Sequence, residues 1–529
     1  MNERRNFLLT VMFVILAAGF STATDIYFAP TATGSNNGTS CANAYAYNDS
    51  AHGWNLSAQQ SAGNNLHVCS GTYTASANGT LMTFVTSGSS GSPITLIADQ
   101  GAATFQAPYF NTVNGAITNT GVRSYLVING DGNLTIQNTA NGTNLANHQT
   151  SFGVFLSNCT HCTVENTIIK NIYVNAGSNS SATDTNGVST QAISFNGASS
   201  YATITGNTVS QAKTAIGVSP DGGSPADASN VTISNNTVSD MDWGIFAGGG
   251  DSGDTLTNVS IYGNTITNWE NWQYPANLYH QDGVMLYNVG NPSAGLTATL
   301  YNNYIYGDFS NGGSPTGLIY CADFTSCTIF NNLLVNTGNV SAYHSPLWLG
   351  QSANFGKNMN VYNNTMVTTA SSEGACVTLQ ITGTATINNN ICVGYTTALS
   401  SYITTLAAFQ AVISASNNNV WPSGMGGSAF SYNDGGEGGF ATFATWQGNG
   451  FDANSSTTNP NLTASFQVPN TSSSAYQIGA NLTNLGIAAL DVDKADDPRP
   501  PTGGWSAGAY QFVSGGAPQA PTNLTASVQ

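Results

Sequence analysis

Two short segments of the sequence carry carboxylates beside a histidine or a tryptophan, and these residue types could do acid–base chemistry. The segments are Ser239-Asp-Met-Asp-Trp-Gly244 and Tyr279-His-Gln-Asp-Gly283. Two carboxylates held close together can have their pKa values driven apart, which supplies the acid and the base that cleave a glycosidic bond. We predict Asp242 and Asp282 as this pair; the observation that would test it is whether their carboxyl groups lie within about 10 Å of each other in an open groove. Asp240 and His280 are predicted to assist them.

Aromatic residues are concentrated near these carboxylates and indicate a surface that binds sugar rings. Flat rings stack on the apolar faces of sugars, and Trp and Tyr are effective contact anchors. Loops that project from a rigid scaffold usually carry binding residues. The predicted substrate-binding residues are Trp243, Trp269, Trp272, Tyr279, Lys213 and His344.

The same residues also have structural interpretations, which the sequence leaves open. Asp240 and Asp242 could be turn residues that cap backbone amides, and Asp282 precedes a glycine in a common turn dipeptide. Trp243 could fill a corner of the fold, and Lys213 could be a local charge partner. The carboxylates could also hold Ca²⁺ together with backbone oxygens. No set of metal ligands is assigned, and Ca²⁺ is the one cofactor considered.

A repeated motif identifies the elements that must position these residues. Its pattern is a polar residue, two or three strand-forming residues, an Asn corner and a second apolar pair, as in Val231-Thr-Ile-Ser-Asn-Asn-Thr-Val-Ser239. The aligned Asn residues are 166, 207, 236, 264, 303, 332, 364 and 390. The period is near 28 residues, with insertions of about ten residues in two coils. A fixed period of this length is the mark of a solenoid.

A second short apolar run lies upstream of the Asn corner in each repeat. These runs include Gly153-Val-Phe-Leu156, Gly244-Ile-Phe-Ala247, Gly283-Val-Met-Leu286, Gly317-Leu-Ile-Tyr320 and Pro346-Leu-Trp-Leu349. Runs this short, bounded by Gly, Asn and Ser, are strands. Asn suits the corner because it tolerates left-handed backbone angles, and its side-chain amides can hydrogen-bond along a stack spaced by ~4.8 Å. Alignment of the runs should bring Asp240, Asp242, His280 and Asp282 to one face.

Sequence motifs at both ends resemble the right-handed parallel β-helix family, the superfamily shape of pectate lyases and related carbohydrate-active proteins. The N-terminal signature runs from Trp54-Asn-Leu-Ser to Gly71-Thr-Tyr73, and Asp497-Pro-Arg-Pro500 with Gly508-Ala-Tyr510 is similar to the closing motif. The resemblance covers about residues 25–512. It implies an all-β, single-domain solenoid of about 28-residue coils with an N-terminal capping helix. It implies little about function, because this helix carries lyases, hydrolases, adhesins and phage spikes.

The composition excludes some partners. Only 8 of the 529 residues are Lys or Arg against 25 Asp or Glu, and charged residues make up 6% of the chain. So few cations cannot neutralise a nucleic-acid backbone, so we expect no nucleic-acid partner. Stacked coils place like charges ~4.8 Å apart, which explains why the polar surface is mainly uncharged.

The N-terminus and the cysteines indicate export. Residues 1–23 are predicted to be a signal peptide, with Arg4 and Arg5 before an apolar stretch, so no membrane contact is expected after cleavage. We expect a secreted or cell-surface protein, exported by a bacterial-type route. The predicted organisation is a cap and first coil over 24–90, the β-helix over 91–512 and a flexible tail over 513–529. Eight cysteines suit four disulfides between sequence neighbours, 41–69, 159–162, 321–327 and 376–392.

Three functions fit the sequence. The favoured one is binding and cleavage of an extracellular polysaccharide by glycoside-hydrolase chemistry. A polysaccharide lyase is less favoured, because that reaction needs cations or Ca²⁺ to neutralise a uronate and a basic residue to take the proton. The alternative from another class is a non-catalytic adhesin or filament subunit, since the open ends of a solenoid make self-association plausible.

Overall fold

The fold is a right-handed parallel β-helix, as the repeat and the family resemblance led us to expect. The computed structural model of the chain describes residues 23–141, 149–173, 190–220, 226–249, 253–270, 272, 281–287, 296–309, 316–322, 324–338, 345–351, 358–369, 374–424, 430–431, 439–440 and 442–513. The predicted signal peptide up to residue 22 and the predicted tail from 514 lie outside the described residues. Each coil contributes up to three short strands, which pair in parallel with the same strands of the next coil.

The strands form three stacks, named here A, B and C in their order along a coil. Stack A contains Met82–Phe84, Ile117–Asn119, Phe152–Ser157, Gln191–Asn196, Asp282–Leu286, Gly317–Cys321, Ser345–Gly350, Ala375–Gln380, Thr397–Ser401 and Phe430–Ser431. Stack B contains Asp25–Ala29, Leu126–Asn129, Thr163–Glu165, Thr203–Thr205, Thr232–Ser234, Val259–Tyr262, Thr297–Tyr301, Ser326–Phe330, Asn358–Tyr362, Thr384–Asn388 and Ile413–Asn417. Stack C contains Leu134–Asn138, Ile168–Ile172, Thr265–Trp269, Tyr304–Gly307, Leu333–Asn336, Thr365–Thr368 and Ile391–Val393.

Four longer strands bend around corners and belong to two stacks. Asn65–Thr74 and Ile94–Ala107 run from stack B into stack C, and Thr208–Ser219 and Thr237–Ala247 run from stack C into stack A. The remaining short strands are Tyr45–Ala46, Arg123–Ser124, Cys159–Thr160, Asp227–Ser229, Thr255–Thr257 and Gly439–Phe440. The helical segments are the α-helices Leu406–Val412 and Phe443–Gly448 and the 3₁₀ turns Cys41–Asn43, Thr483–Leu485 and Ala488–Leu490.

The core is a continuous column of aliphatic side chains inside the coils. In stack B, Val164, Ile204, Ile233 and Ile261 occupy equivalent positions on successive coils, and each is completely buried. Burial of one Val, Leu or Ile side chain contributes roughly 1.5–3 kcal/mol. The flanking Thr and Ser residues point outward, which is the alternation that a strand with one buried face requires.

A ladder of buried asparagines runs along the corner between stacks B and C. Its members are Asn207, Asn236, Asn264, Asn303, Asn332, Asn364, Asn390 and Asn419. Each side-chain Nδ2 donates to Oδ1 of the next member at 2.9–3.2 Å. The backbone N–H of each member donates to the same oxygen, as Asn236 does to Asn264 at 3.0 Å. The predicted amide stack is therefore present.

In each coil, the residue with left-handed backbone angles and the ladder residue are two consecutive residues, and not the same one. The residue just before each ladder member has a positive φ, as at Asn302 (55°) and Asn331 (54°). Asn166, aligned with the ladder at the sequence level, belongs to the left-handed position with φ 53°. The ladder position in its coil is Thr167, whose hydroxyl donates to Asn207 Oδ1 at 2.7 Å. The sequence alignment therefore placed the ladder residue of this coil one position too early. The reason is that Asn is suited both to the left-handed corner and to the ladder position that follows it.

The N-terminal cap differs from the prediction in one respect. The segment around Trp54 forms consecutive turns, such as Leu56 N–H to Gly53 O at 3.1 Å, and not a capping helix. Trp54 nevertheless closes the core, because it is fully buried and its indole donates to Leu81 O. Parallel pairing already begins at Asp25–Ala29. All four predicted disulfides are present: Cys41–Cys69, Cys159–Cys162, Cys321–Cys327 and Cys376–Cys392.

After the last regular coil strand, Ile413–Asn417, the chain turns back over the outside of the coils. We call residues 456–512 the strap. The left-handed asparagines hold it, since Asn418, Asn389 and Asn331 donate side-chain N–H groups to the carbonyls of Ile478, Ala480 and Val492. The predicted closing motif lies in the strap. Among the described residues, we find no helix with the length and apolarity that crossing a bilayer requires.

Candidate functional site

The candidate site lies at the corner where stack C turns into stack A. Register pairs Thr214 with Trp243 and Trp243 with Asp282 on three consecutive coils. The residues just before them are Lys213, Asp242 and Gln281, so these three side chains follow one another along the helix axis. Each strand bends at this corner, which lets two adjacent residues point away from the aliphatic core.

Lys213 and Asp242 form a buried ion pair. The Nζ of Lys213 lies 3.5 Å from Oδ2 of Asp242, and both residues are 1% exposed. The ammonium also lies 4.8 Å from the ring centroid of Trp243, a distance at which a cation–π attraction acts. Gln281 Nε2 contacts the other carboxylate oxygen at 3.4 Å. A charge this deeply buried is tolerated because it has a partner of opposite sign.

Asp242 is the carboxyl group of this site with the altered acidity. Burial raises its pKa from 3.8 to about 6, and the positive charge of Lys213 limits the rise. A carboxyl group with such a pKa exchanges its proton under mildly acidic conditions. Strong perturbation by burial together with a specific charged partner is a property of functional sites, although structural ion pairs share it.

Trp272 closes the cluster on one side. Its backbone N–H lies 3.3 Å from Asp242 Oδ1, and its indole N–H donates to the carbonyl of Asp240 at 3.2 Å. The ring of Tyr173 stacks on it with centroids 3.8 Å apart. Trp272 is only 6% exposed, so its predicted role in binding substrate is replaced by one in enclosing Asp242.

Asp240 occupies a left-handed turn position. Its φ is 55°, and Asn171, Gln211 and Asn268 have φ values of 60°, 53° and 56° at the corresponding corner of neighbouring coils. Asp is among the residues that adopt this conformation most easily. The turn interpretation therefore accounts for Asp240 without any catalytic role.

Asp282 lies on the coil that follows the coil of Asp242, and it is aligned with Trp243, the residue after Asp242. Its Oδ1 accepts the N–H of Gly317 at 3.1 Å, and the residue is completely buried. Asp242 and Asp282 are both buried, so they do not line an open groove, and the catalytic role predicted for them stays a prediction. The corner bend that brings them together also places them beneath the surface.

Trp243 and Trp269 are not exposed sugar-binding rings. Trp269 is 1% exposed inside the main core, where its ring lies 4.3 Å from that of Phe309. It pairs with Met241, an interior position of its strand, so its assignment to a projecting loop was wrong. Trp243 is 2% exposed and stacks on Phe246 at 5.6 Å. The predicted residues Tyr279, His280 and His344 lie outside the described residues.

Stack A carries an outward column that the sequence analysis missed. Register aligns Phe246, Met285, Tyr320 and Trp348 on four consecutive coils, and we call them the outer row. Their strand neighbours point into the core, whereas the row forms a separate apolar cluster outside it. Phe246 and Trp348 are partly exposed, and Met285 and Tyr320 are buried between them. The available signal was a large apolar residue, in third place of three of the runs and in fourth place of Gly317-Leu-Ile-Tyr320, where other coils have Ser194 or Gly217.

Metal ligands do not converge in the described part of the chain. Among those residues no group of three or more His, Cys, Asp or Glu side chains is arranged to hold a metal ion. The carboxylates that were considered for Ca²⁺ instead contact Lys213, Gln281 and backbone N–H groups.

The fold defines the chain as a right-handed parallel β-helix protein, and solved structures of this shape resemble it. Pectate lyase Pel9A matches with 15% identity and a TM-score of 0.44, covering 94% of this chain and 98% of that one. XylC in complex with xylose matches with 10% identity and a TM-score of 0.44, covering 93% and 98%. A rhamnogalacturonan lyase matches with 14% identity and a TM-score of 0.39, covering 66% and 84%. No protein-family model and no curated protein sequence matches the chain.

Proposed function

We propose that this β-helix protein binds an extracellular polysaccharide along the outer row. The observation that carries the proposal is the register of Phe246, Met285, Tyr320 and Trp348, which sets two partly exposed aromatic rings, Phe246 and Trp348, at the ends of one line parallel to the axis, with Met285 and Tyr320 buried between them as their support. Three coil steps of ~4.8 Å give this line a length of ~14 Å. A rigid line of apolar and aromatic side chains suits the apolar faces of consecutive sugar rings.

Charge favours a neutral polysaccharide. The chain carries a formal charge of −17, and one of its 8 cations, Lys213, is already committed to Asp242 at the end of the row. An acidic polymer would therefore meet net repulsion. The four disulfides support an oxidising, extracellular location for this encounter.

Replacing Trp348 by Ala tests the binding surface. We expect at least a tenfold loss of affinity for the polysaccharide that the wild-type protein retains best in affinity gel electrophoresis, because a contact tryptophan carries a large share of binding energy. Tyr201→Ala is the matched control, since Tyr201 is 49% exposed but lies outside the row. Equal retardation of Trp348→Ala and wild type would exclude the outer row as the binding surface.

A second candidate function is hydrolysis of the bound polysaccharide by Asp242 and Asp282. The observation that favours it is the raised pKa of Asp242, about 6, beside a second carboxylate on the next coil. From strand spacing and rise, their Cα atoms are ~6 Å apart on neighbouring coils. Asp242 would donate a proton to the leaving oxygen, and Asp282 would act on the sugar or on a water. A lyase would instead use a base such as Lys213 on a uronate.

Product analysis separates these reactions. The protein is incubated with a panel of plant and microbial polysaccharides, following new reducing ends and absorbance near 235 nm. New reducing ends without absorbance indicate a hydrolase, absorbance indicates a lyase, and neither, with binding retained, indicates a non-catalytic binding protein. Asp282→Asn should abolish hydrolysis, and activity should fall as pH rises above about 6, where Asp242 loses its proton. Full activity of Asp282→Asn would exclude this pair.

A further inference from the structure

We propose that a cavity beside the helix Leu406–Val412 binds an apolar, ring-sized substituent, such as a phenolic ester, on the polysaccharide. This inference rests on the proposed binding function and names the substrate class as a substituted neutral glycan. The cavity has a volume of about 480 Å³, which is in the range of small-molecule sites. Its floor is the end of strand Ala375–Gln380 and the residues after it, and the helix forms one wall.

The lining of the cavity is apolar on the helix side and polar at the edge nearest stack A. Ile381, Ala408, Ala411 and Val412 form the apolar part. Gln380 and Tyr402 supply polar atoms at the edge, and Thr382 and Thr404 add two hydroxyl groups to the lining. Residues with ionised side chains are absent from the lining, so a charged ligand would find no partner.

The apolar wall selects against a bare sugar. A sugar ring carries hydroxyl groups around its edge, and those facing Ile381, Ala411 and Val412 would lose water without gaining a hydrogen bond, at roughly 1–3 kcal/mol each. A phenyl-sized group loses no hydrogen bond there and gains from removal of apolar surface from water. Its polar substituents can face Gln380 and the Tyr402 hydroxyl at the edge.

The cavity is continuous with the outer row, which explains how a substituent would reach it. The indole N–H of Trp348 contacts Gln380 Oε1 at 3.4 Å, and the Trp348 and Tyr402 rings stack with centroids 6.2 Å apart. Trp348 ends the row, and Gln380 and Tyr402 line the cavity. A sugar on Trp348 can therefore project a side group directly into it.

The experiment compares phenyl β-D-glucopyranoside with methyl β-D-glucopyranoside on the full chain. The two glycosides share one sugar, so a difference in affinity reports the ring alone. We expect the phenyl glycoside to bind at least tenfold more tightly by isothermal titration or by saturation-transfer NMR with competition. Equal affinity for the two glycosides would overturn the proposal, whatever the behaviour of the variants.

Two substitutions locate the binding. Ala411→Phe fills the cavity and should abolish the phenyl preference, whereas Ala407→Phe, on the same helix but outside the lining, should retain it. Ala408→Phe fills the cavity from a neighbouring position and serves if Ala411→Phe does not fold. A phenyl preference unchanged in a folded cavity-filling variant would overturn the assignment.

Failure of the cavity assignment can be distinguished from failure of the outer row as the polysaccharide-binding surface. If Trp348→Ala leaves polysaccharide binding intact while Ala411→Phe removes the phenyl preference, the outer row fails and the cavity remains a site for aromatic groups. If Ala411→Phe changes nothing while Trp348→Ala abolishes retardation, the row remains and the cavity assignment fails.

Discussion

At the scale of single residues, the buried Lys213 lowers the pKa of Asp242 that burial raises. Both are 1% exposed, and the two groups of opposite charge lie 3.5 Å apart. Because the folded-state pKa of Asp242 is raised to about 6, this group stabilises the fold most when it is protonated. That contribution is complete below pH 3.8 and is lost as pH rises through about 6.

Lys213→Met is expected to destabilise the protein by about 3 kcal/mol at pH 8, because it leaves the Asp242 carboxylate buried without a counter-charge. The loss should shrink as pH falls from 8 towards about 6, because removal of the ammonium raises the pKa of Asp242 further and the variant takes up its proton at a higher pH than the wild type. Urea denaturation at several pH values measures it.

Lys170→Met is the matched control, because Lys170 is a partly exposed lysine on a nearby coil. It should change the urea midpoint little at any pH. A Lys213→Met variant whose destabilisation is the same at pH 5 and pH 8 would show that the lysine acts through packing and not through charge.

At the scale of elements, the asparagine ladder holds stacks B and C in register. The bonds between its side chains all run toward the C-terminal end, while each Nδ2 also donates to a backbone carbonyl of the preceding coil, as Asn303 does to Ile261 O; aligned bonds of this kind polarise one another. The last member, Asn419, donates to the buried carboxylate of Asp452 at 2.9 Å. The indole of Trp446 and the hydroxyl of Ser416 donate to the other oxygen of Asp452. A carboxylate accepts hydrogen bonds strongly and donates none, so it is a suitable last acceptor for a chain of hydrogen bonds between side-chain amides.

Asn303→Leu should cost about 3 kcal/mol or more. It removes the acceptor of the Asn264 backbone and side-chain N–H groups and the donor to Ile261 O, all in the buried core. Thermal denaturation followed by circular dichroism measures the loss.

The adjacent Asn302→Gly is the control for this prediction. Asn302 has φ 55°, a conformation that Gly adopts freely, and only its backbone carbonyl accepts a hydrogen bond from Lys494. We expect a change within about 1 kcal/mol. Equal destabilisation by the two substitutions would contradict the separation of ladder and corner roles.

At the scale of the whole molecule, the strap shields the C-terminal coils. Leu490 and Trp505 pack on Phe330 and Tyr362, which would otherwise be exposed on the outside of stack B. Arg499 is 4% exposed and donates to Asn331 Oδ1 at 2.9 Å, so it ties the strap to the corner of one coil. Covering the outer surface of late coils is one way to protect a solenoid from association.

Arg499→Met should release the strap before the coils unfold. The substitution leaves Asn331 Oδ1 without its donor and removes one of the two donors to the Gly508 carbonyl, which Asn363 also contacts, at a cost of about 2–4 kcal/mol. Limited proteolysis should then cleave within 456–512 at least tenfold faster than in wild type. Arg123→Met, which changes a partly exposed arginine far from the strap, should leave the rate unchanged; equal rates for all three proteins would exclude the clamp.

The contribution of Lys494 to the unfolding free energy depends on pH. Burial lowers its pKa from 10.5 to about 7, so the unfolded chain binds more protons than the folded one between these values. The unfolding free energy contributed by Lys494 therefore rises with pH from about 7 upward. Lys494→Met should lose this rise between pH 7 and 9 in urea titrations, whereas Lys170→Met should keep it.

The fold was predictable to a large extent because each coil of a solenoid repeats the same strands and corners, so the sequence pattern recurs at a fixed period. Asn207, Asn236 and Asn264 recur at nearly constant spacing, and local contacts make neighbouring cysteines pair. The site was predictable only in part. Alignment brought Lys213 beside Asp242, but the corner bend that buries them has no signature in the sequence.

The sequence by itself determined the coil, its core-facing residues and the neighbourhood of Lys213, Asp242 and Asp282, because each follows from a repeat of about 28 residues. Only the tertiary structure decided how deeply each side chain is buried and whether it points into the core or away from it. It placed Trp269 in the core and Trp348 outside it, and it folded the strap over late coils. The physical reason is that period and composition specify which residues are neighbours, whereas burial depends on the surfaces that distant parts of the chain cover.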